Sequence, residues 1–212
     1  SEMVIGSTRY GATIANRVEV VGAEHGVDGW RLSMVEHVSG RALEASAPLV
    51  VNAAGPNVPA VGDLVGATTD HRLVFSKGIH LVVPRITDSG RILAFYDDDE
   101  RLFYVLPMGE RSVIGTTDTP VDDPEVAVTI EDREFVLEQI NARIDRSAPL
   151  VDDDVIAERC GVRALVVPPG GSGEGRDWTE LSREHAVEVD PTLGVVSVLG
   201  GKLSDCLNVG EE

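Results

Sequence analysis

One histidine, two arginines and one lysine carry the chemistry that this sequence could perform: His80, Arg163, Arg183 and Lys202. Arginine presents a planar fork of donors that matches phosphate or carboxylate, so two arginines on neighbouring strands could clamp one dianion. Histidine relays a proton near neutral pH. Lys202 stands in a strand–Gly200–Gly201–Lys–helix pattern. There the glycines permit close backbone approach, and a helix N-terminus offers N–H groups and a positive dipole end to an anion. Taken singly, an arginine is more often a surface or structural ion-pair residue and a lone strand histidine is usually hydrogen-bonded packing, whereas the strand–Gly–Gly–Lys–helix pattern is more specific. What matters is whether the chain brings them to one place.

The stretch from Val74 to Asp118 is the element that must position them. In Gly78-Ile79-His80-Leu81-Val82-Val83, the alternation puts Ile79, Leu81 and Val83 on one face of a strand and His80 on the other. Runs Arg91–Tyr96, Leu102–Pro107 and Arg111–Thr116 follow, separated by polar turns, and should pair as an antiparallel meander. One face of that sheet should meet a core, and the other could floor a cavity. Upstream, strands are expected over Thr13–Val21, Gly29–His37 and Arg41–Ala45. Pro48–Pro56 reads as a buried parallel strand that ends in small residues, where a ligand could approach closely, or equally as a core strand with a tight turn. Downstream, Thr129–Asp132 resembles a capping box opening an amphipathic helix over Glu131–Arg146, with Val136, Leu137, Ile140 and Ile144 on its apolar face. Val155–Arg159 and Val162–Val167 read as strands, His185–Asp190 and Val195–Leu199 as a hairpin, and a short helix closes the sequence. Gly170–Gly175 lacks the following Lys-Ser/Thr helix of a phosphate loop and reads as a surface loop.

Composition narrows the function classes. The net charge is −18, with only Lys77 and Lys202 as lysines. Such a surface argues against nucleic acid as a partner, because phosphate backbones need a basic stripe. No apolar run approaches the ~20 residues that cross a bilayer. Cys160 and Cys206 have neither metal-ligand spacing nor a disulfide framework, so no metal site and a cytoplasmic location are expected.

Six motifs then stand in a meaningful order: Asn52-Ala53-Ala54-Gly55-Pro56, Lys77–Arg85, Ile114-Gly115-Thr116-Thr117-Asp118, Gly161-Val162-Arg163, Ser182-Arg183-Glu184-His185 and Gly200-Gly201-Lys202-Leu203. In this order the chain resembles FAD-dependent glycerol-3-phosphate dehydrogenases, flavoproteins of the glycine-oxidase-like superfamily. The resemblance runs from about Gly11 to Glu212. It implies an α+β fold with a largely antiparallel substrate-binding sheet flanked by helices, plus a remnant of an FAD-binding domain. The expected boundaries are 1–66 and 193–212 for the FAD-binding part and 67–192 for the substrate domain. The implied reaction is oxidation of sn-glycerol 3-phosphate to dihydroxyacetone phosphate, with electrons passing through FAD to a quinone. Carried over by motif, Arg163 and Arg183 would bind the substrate phosphate, and His80 and Lys202 would serve the reacting carbinol. Gly55, Gly200, Gly201 and Leu203 would approach the flavin. Peripheral association with the inner face of the cell membrane and a homodimer are compatible with the resemblance.

The sequence departs from the family pattern at Asn57, Ala164 and Ser204-Asp205, and Asp205 sets a carboxylate beside a site expected to hold negative charge. The fingerprint Gly-x-Gly-x-x-Gly, which cradles the pyrophosphate of a dinucleotide, is absent from these residues. The expectation is therefore a substrate-side portion that is colourless and inactive by itself. Two other readings use the same residues: a related amino-acid or hydroxy-acid flavoenzyme gripping a carboxylate, and an anion-binding module without catalysis.

Overall fold

The computed structural model describes residues 2–96, 102–171 and 184–212. The chain divides into two compact units, Ser1–Thr69 with Val187–Val198, and Asp70–Ala186 with Leu199–Glu212.

The first unit begins with α1 (Glu2–Ser7), whose continuation ends at Gly11 in the left-handed conformation (φ 87°). Strands β1 (Val18–Gly26), β2 (Gly29–Glu36) and β3 (Arg41–Ala47) form an antiparallel sheet. The first strand starts five residues later than its alternation suggests, after Arg17 turns the chain at φ 57°. β4 (Val50–Asn52) is the expected short parallel strand, and α2 (Val58–Val65) follows it. Trp30, Val65, Ala67 and Val195 make the core of this unit, and the Trp30 indole donates to the Leu193 carbonyl at 2.8 Å.

The second unit is built on β5 (Arg72–Pro84), a 13-residue strand. Its sheet also holds β6 (Leu93–Tyr96), β7 (Leu102–Met108), β8 (Arg111–Gly115), β9 (Thr119–Val121) and β10 (Ala157–Val167). The order is β10-β5-β8-β7-β6, all antiparallel, with β9 pairing the first part of β5. Helix α3 (Ile130–Arg143) covers one face. Thr129 caps it, accepting from the Asp132 amide while the Asp132 carboxylate accepts from the Thr129 amide. Ile79, Leu81, Val83, Val105 and Ile114 pack there against Val136, Leu137 and Ile140. Burying that apolar surface is the main force holding helix to sheet.

β10 is one continuous strand, not two, and passes straight through Gly161. β11 (His185–Asp190) and β12 (Val195–Gly200) form the expected hairpin, and β12 pairs with β4 in parallel register. α4 (Cys206–Glu211) closes the chain. The whole is a mixed α/β fold dominated by antiparallel sheet, with few helices.

Candidate functional site

The face of the sheet opposite α3 carries His80. Directly opposed residues in an antiparallel pair share a face, and so do residues two apart on one strand. The register therefore groups Ser76, Gly78 and His80 of β5 with their partners Arg163, Gly161 and Arg159 of β10. On the other side, Gly115 of β8 stands opposite both His80 and Tyr104 of β7. Three glycines thus leave the centre of this face low. Further along, Val82 and Val113 are buried at 3% and 5% exposure, and Ser76 and Gly78 are buried as well, so the accessible part is half-buried His80 together with Arg159, Gly161 and Arg163 of β10.

Two of these glycines have a steric reason. A Cβ at Gly78 would overlap the Arg163 guanidinium, which lies across that position. A Cβ at Gly115 would come within 2.7 Å of the Ile79 carbonyl and 3.0 Å of the His80 ring, so glycine there lets the imidazole lie down. A Cβ at Gly161 would meet nothing within 4 Å.

Arg163 is held by several groups from the segment after β8. One terminal nitrogen donates to the Thr117 carbonyl at 3.2 Å and to Asp118 Oδ1 at 3.3 Å; the other donates to Thr116 Oγ1 at 3.0 Å. The Ser76 hydroxyl also donates to Asp118. The Thr117 hydroxyl accepts from the Ile79 amide at 3.0 Å, pinning that segment to β5. The guanidinium is therefore oriented by a fixed network.

His80 is half-buried. Burial, then the positive charges of Arg163 and Arg159, holds its pKa below the ordinary imidazole value. The neutral ring is favoured near neutral pH, the form that accepts a proton.

The remaining candidates are distributed differently. Lys202 is exposed and precedes a 3-10 turn over Leu203–Asp205, where its carbonyl accepts from the Asp205 amide at 2.8 Å. Its charge acts on Asp205. Asp205 in turn accepts from His185 Nδ1 at 2.6 Å, and Glu212 takes His185 Nε2 at 2.8 Å. The carboxylate that the sequence sets beside an anion site is thus answered by an imidazole. Gly200 (φ 64°) and Gly201 (φ 80°) have local structural causes: a Cβ at Gly200 would overlap Val166, and one at Gly201 would sit 3.1 Å from His185 Cβ. Gly55 (φ 58°) is open, in the turn that follows β4. Asn52 braces that turn, its amide donating to the Val58 carbonyl at 2.9 Å while its oxygen accepts from the Ala54 amide. Arg183 lies outside the described residues. The other lysine, Lys77, faces the core and is 2.5 Å from Asp132, both side chains 8% exposed.

Sequence reasoning missed Thr116, Asp118 and Arg159. The two former stand inside a motif that received no roles. The sequence suggests a break in β10 at Cys160-Gly161, which hides the shared parity of Arg159 and Arg163.

The same fold is found in solved structures of other proteins. Glycine oxidase from Bacillus cereus matches with a TM-score of 0.60 at 17% identity, over 96% of this chain and 49% of that one. The model of the family "FAD dependent oxidoreductase" matches residues 3–200, and the chain belongs to that family. It is 31% identical over 201 residues to glycerol-3-phosphate dehydrogenase 2 of Mycobacterium tuberculosis, covering 92% of this chain and 33% of that protein. The human mitochondrial glycerol-3-phosphate dehydrogenase is 28% identical over 97% of this chain and 29% of its own length. The structure of the Bacillus halodurans glycerol-3-phosphate dehydrogenase complexed with FAD matches with a TM-score of 0.78 at 25% identity, over 97% of this chain and 39% of that chain. The chain thus spans about a third of the length of the curated relatives it matches.

Proposed function

We propose that this chain is the substrate-binding portion of a flavoprotein that oxidises sn-glycerol 3-phosphate to dihydroxyacetone phosphate and passes the electrons to a quinone. The observation that carries the reading is the arrangement of Arg163 and His80. A guanidinium fixed across Gly78 and a neutral imidazole two residues along the same strand face share one surface, away from the core. The similarity to glycerol-3-phosphate dehydrogenases supports the same substrate.

In this reading Arg163, with Arg183, grips the phosphate and fixes the carbinol beside His80, converting remote binding energy into orientation. His80 accepts the hydroxyl proton as the carbon–hydrogen bond breaks, and its depressed pKa keeps it ready to do so. The nearby guanidinium charges favour the developing alkoxide. Lys202 serves the same oxygen from the turn after β12.

FAD, when bound, supplies the two-electron acceptor for the hydride. Taken one at a time, the residues that the motifs assign to the flavin leave room for such a group. Gly55 offers backbone with open space beside it at the end of β4, and Leu203 is 75% exposed next to the Gly200-Gly201 turn. By the motif resemblance, Gly55, Gly200, Gly201 and Leu203 would each approach the flavin, and Gly200 and Gly201 also shape the turn that presents Leu203.

The test is steady-state kinetics on the FAD-loaded full-length protein. Arg163→Ala should raise KM for glycerol 3-phosphate by roughly 30- to 150-fold, the worth of a charge-assisted contact. His80→Ala should lower kcat more than it changes KM. Normal kinetics in both variants would sink the proposal.

A further inference from the structure

Arg159 is the residue of this face to which the proposed reaction assigns a charge but no contact with the substrate. It stands directly opposite His80 on β10 and shares the face with Arg163. It is exposed, and among the described residues no acid or hydrogen-bond acceptor pairs with it. That is unusual in a chain with 36 acidic and 18 basic residues, where an arginine has many carboxylates to choose from. The acids near this strand are engaged elsewhere. Glu158 projects to the opposite face, 3.8 Å from Arg133, and Asp118 holds Arg163. Gly161, between the two arginines, leaves open space where a side chain would otherwise separate them.

The spacing suits a particular ligand. The Arg163 guanidinium lies at the level of Gly78, and the backbone of Arg159 pairs with His80, two residues further along the strand. Two residues along a strand is about 7 Å. A three-carbon chain with a phosphate at one end and an anionic group at the other covers that distance, with its central carbinol beside the imidazole. A neutral terminal hydroxyl would make only an ordinary hydrogen bond to Arg159, whereas a carboxylate would accept a charge-assisted, bidentate one.

We propose that Arg159 is a second anion-binding residue of this site, and that the site takes three-carbon phosphate esters carrying a carboxylate next to the carbinol: phosphorylated 2-hydroxy acids. The inference rests on the reading of Arg163 as the phosphate contact, and it extends the substrate class beyond phosphorylated polyols.

The experiment is calorimetric titration of the oxidised, FAD-loaded full-length protein with glycerol 3-phosphate and with each enantiomer of 3-phosphoglycerate. One enantiomer should bind at least as tightly as glycerol 3-phosphate. Arg159→Ala should weaken that phosphoglycerate by on the order of 10- to 100-fold more than it weakens glycerol 3-phosphate. Arg159→Lys, which keeps the charge and loses the fork, should fall between, and a melting curve for each variant shows that the fold is intact. Equal weakening of both ligands by Arg159→Ala, or binding of glycerol 3-phosphate with no binding of either phosphoglycerate, overturns the second anion site while leaving the phosphate reading in place. Absence of binding by every phosphate ester overturns both.

Discussion

The guanidinium of Arg163 occupies the space that a side chain at Gly78 would fill. The obstructing atoms belong to the far end of a flexible side chain, so a methyl group at 78 would displace the arginine and spare the strand. Gly78→Ala is therefore expected to behave as a remote loss of Arg163. KM for glycerol 3-phosphate should rise by roughly tenfold or more, with stability changed by less than about 1 kcal/mol. Kinetics and denaturant unfolding of the same variant test the two halves separately, and a large loss of stability would place the cost in the sheet instead.

The arginine is also oriented from behind. Asp118 holds it together with Thr116 and Thr117, and Ser76 donates to Asp118. Asp118→Asn should loosen the fork without removing its charge. We expect a rise in KM smaller than that of Arg163→Ala, with kcat less affected. An unchanged KM would mean that the network serves only the fold.

His80 should report on both flanking arginines. Its folded pKa lies below the ordinary 6.5 because burial and then Arg163 and Arg159 disfavour the imidazolium. The unfolded chain accepts a proton that the native state resists, so this group lowers stability as pH falls through about 6.5, with no further loss below the folded value. In the full-length enzyme the acid limb of kcat/KM should lie below pH 6.5. Arg163→Ala or Arg159→Ala should move it upward, and NMR titration of the ring gives the same shift without turnover. A limb that ignores both substitutions assigns it to another group.

Lys77 and Asp132 form a buried ion pair between β5 and the first turn of α3. Burial opposes the Asp132 charge, but hydrogen bonds from Lys77 and Thr129 outweigh it and hold the carboxyl below its ordinary pKa. Removing one partner leaves an uncompensated charge, so Asp132→Ala should cost about 3–5 kcal/mol by denaturant unfolding. The paired replacement by apolar residues should recover much of that loss. A single variant as stable as the parent would contradict the assignment.

His185 titrates in the opposite sense to His80. Hydrogen bonds to Asp205 and then Glu212 raise its pKa. Its contribution is fully present below about pH 6.5 and is lost as pH rises through the folded value. Hydrogen exchange in α4 should accelerate over that interval, and His185→Ala should abolish the pH dependence. Exchange that stays flat with pH in the parent protein would refute the coupling.

Much of this unit was legible because its signals are local. The alternation of Ile79, Leu81 and Val83 against His80 assigns two faces, and Thr129 with Asp132 marks the start of α3. What stayed hidden depends on partners far along the chain. Lys77 shares the parity of Ile79 and so belongs to the core face, yet its partner Asp132 lies 55 residues away. β9 is three residues long and contains Pro120, too short for any periodicity. Gly161 reads as a break because glycine weakens strands, and only the pairing with Gly78 carries β10 through it. The glycines near Lys202 suggest a close ligand approach in the sequence, but their positive φ, and the Val166 and His185 side chains that an added Cβ would meet, become visible only in the fold.

That contrast separates two kinds of glycine when other sequences are compared with this one. Positions 200 and 201 are demanded by the backbone itself, so a homologue that had lost its activity would keep them for as long as it folds. Gly161 owes nothing to the fold: its φ is ordinary, and a methyl group there would touch no neighbour. Drift should fill that position once no ligand needs the space. The identity of residue 161, more than the Gly-Gly-Lys signature, is thus the mark by which a working member of this group could be told from a silent copy.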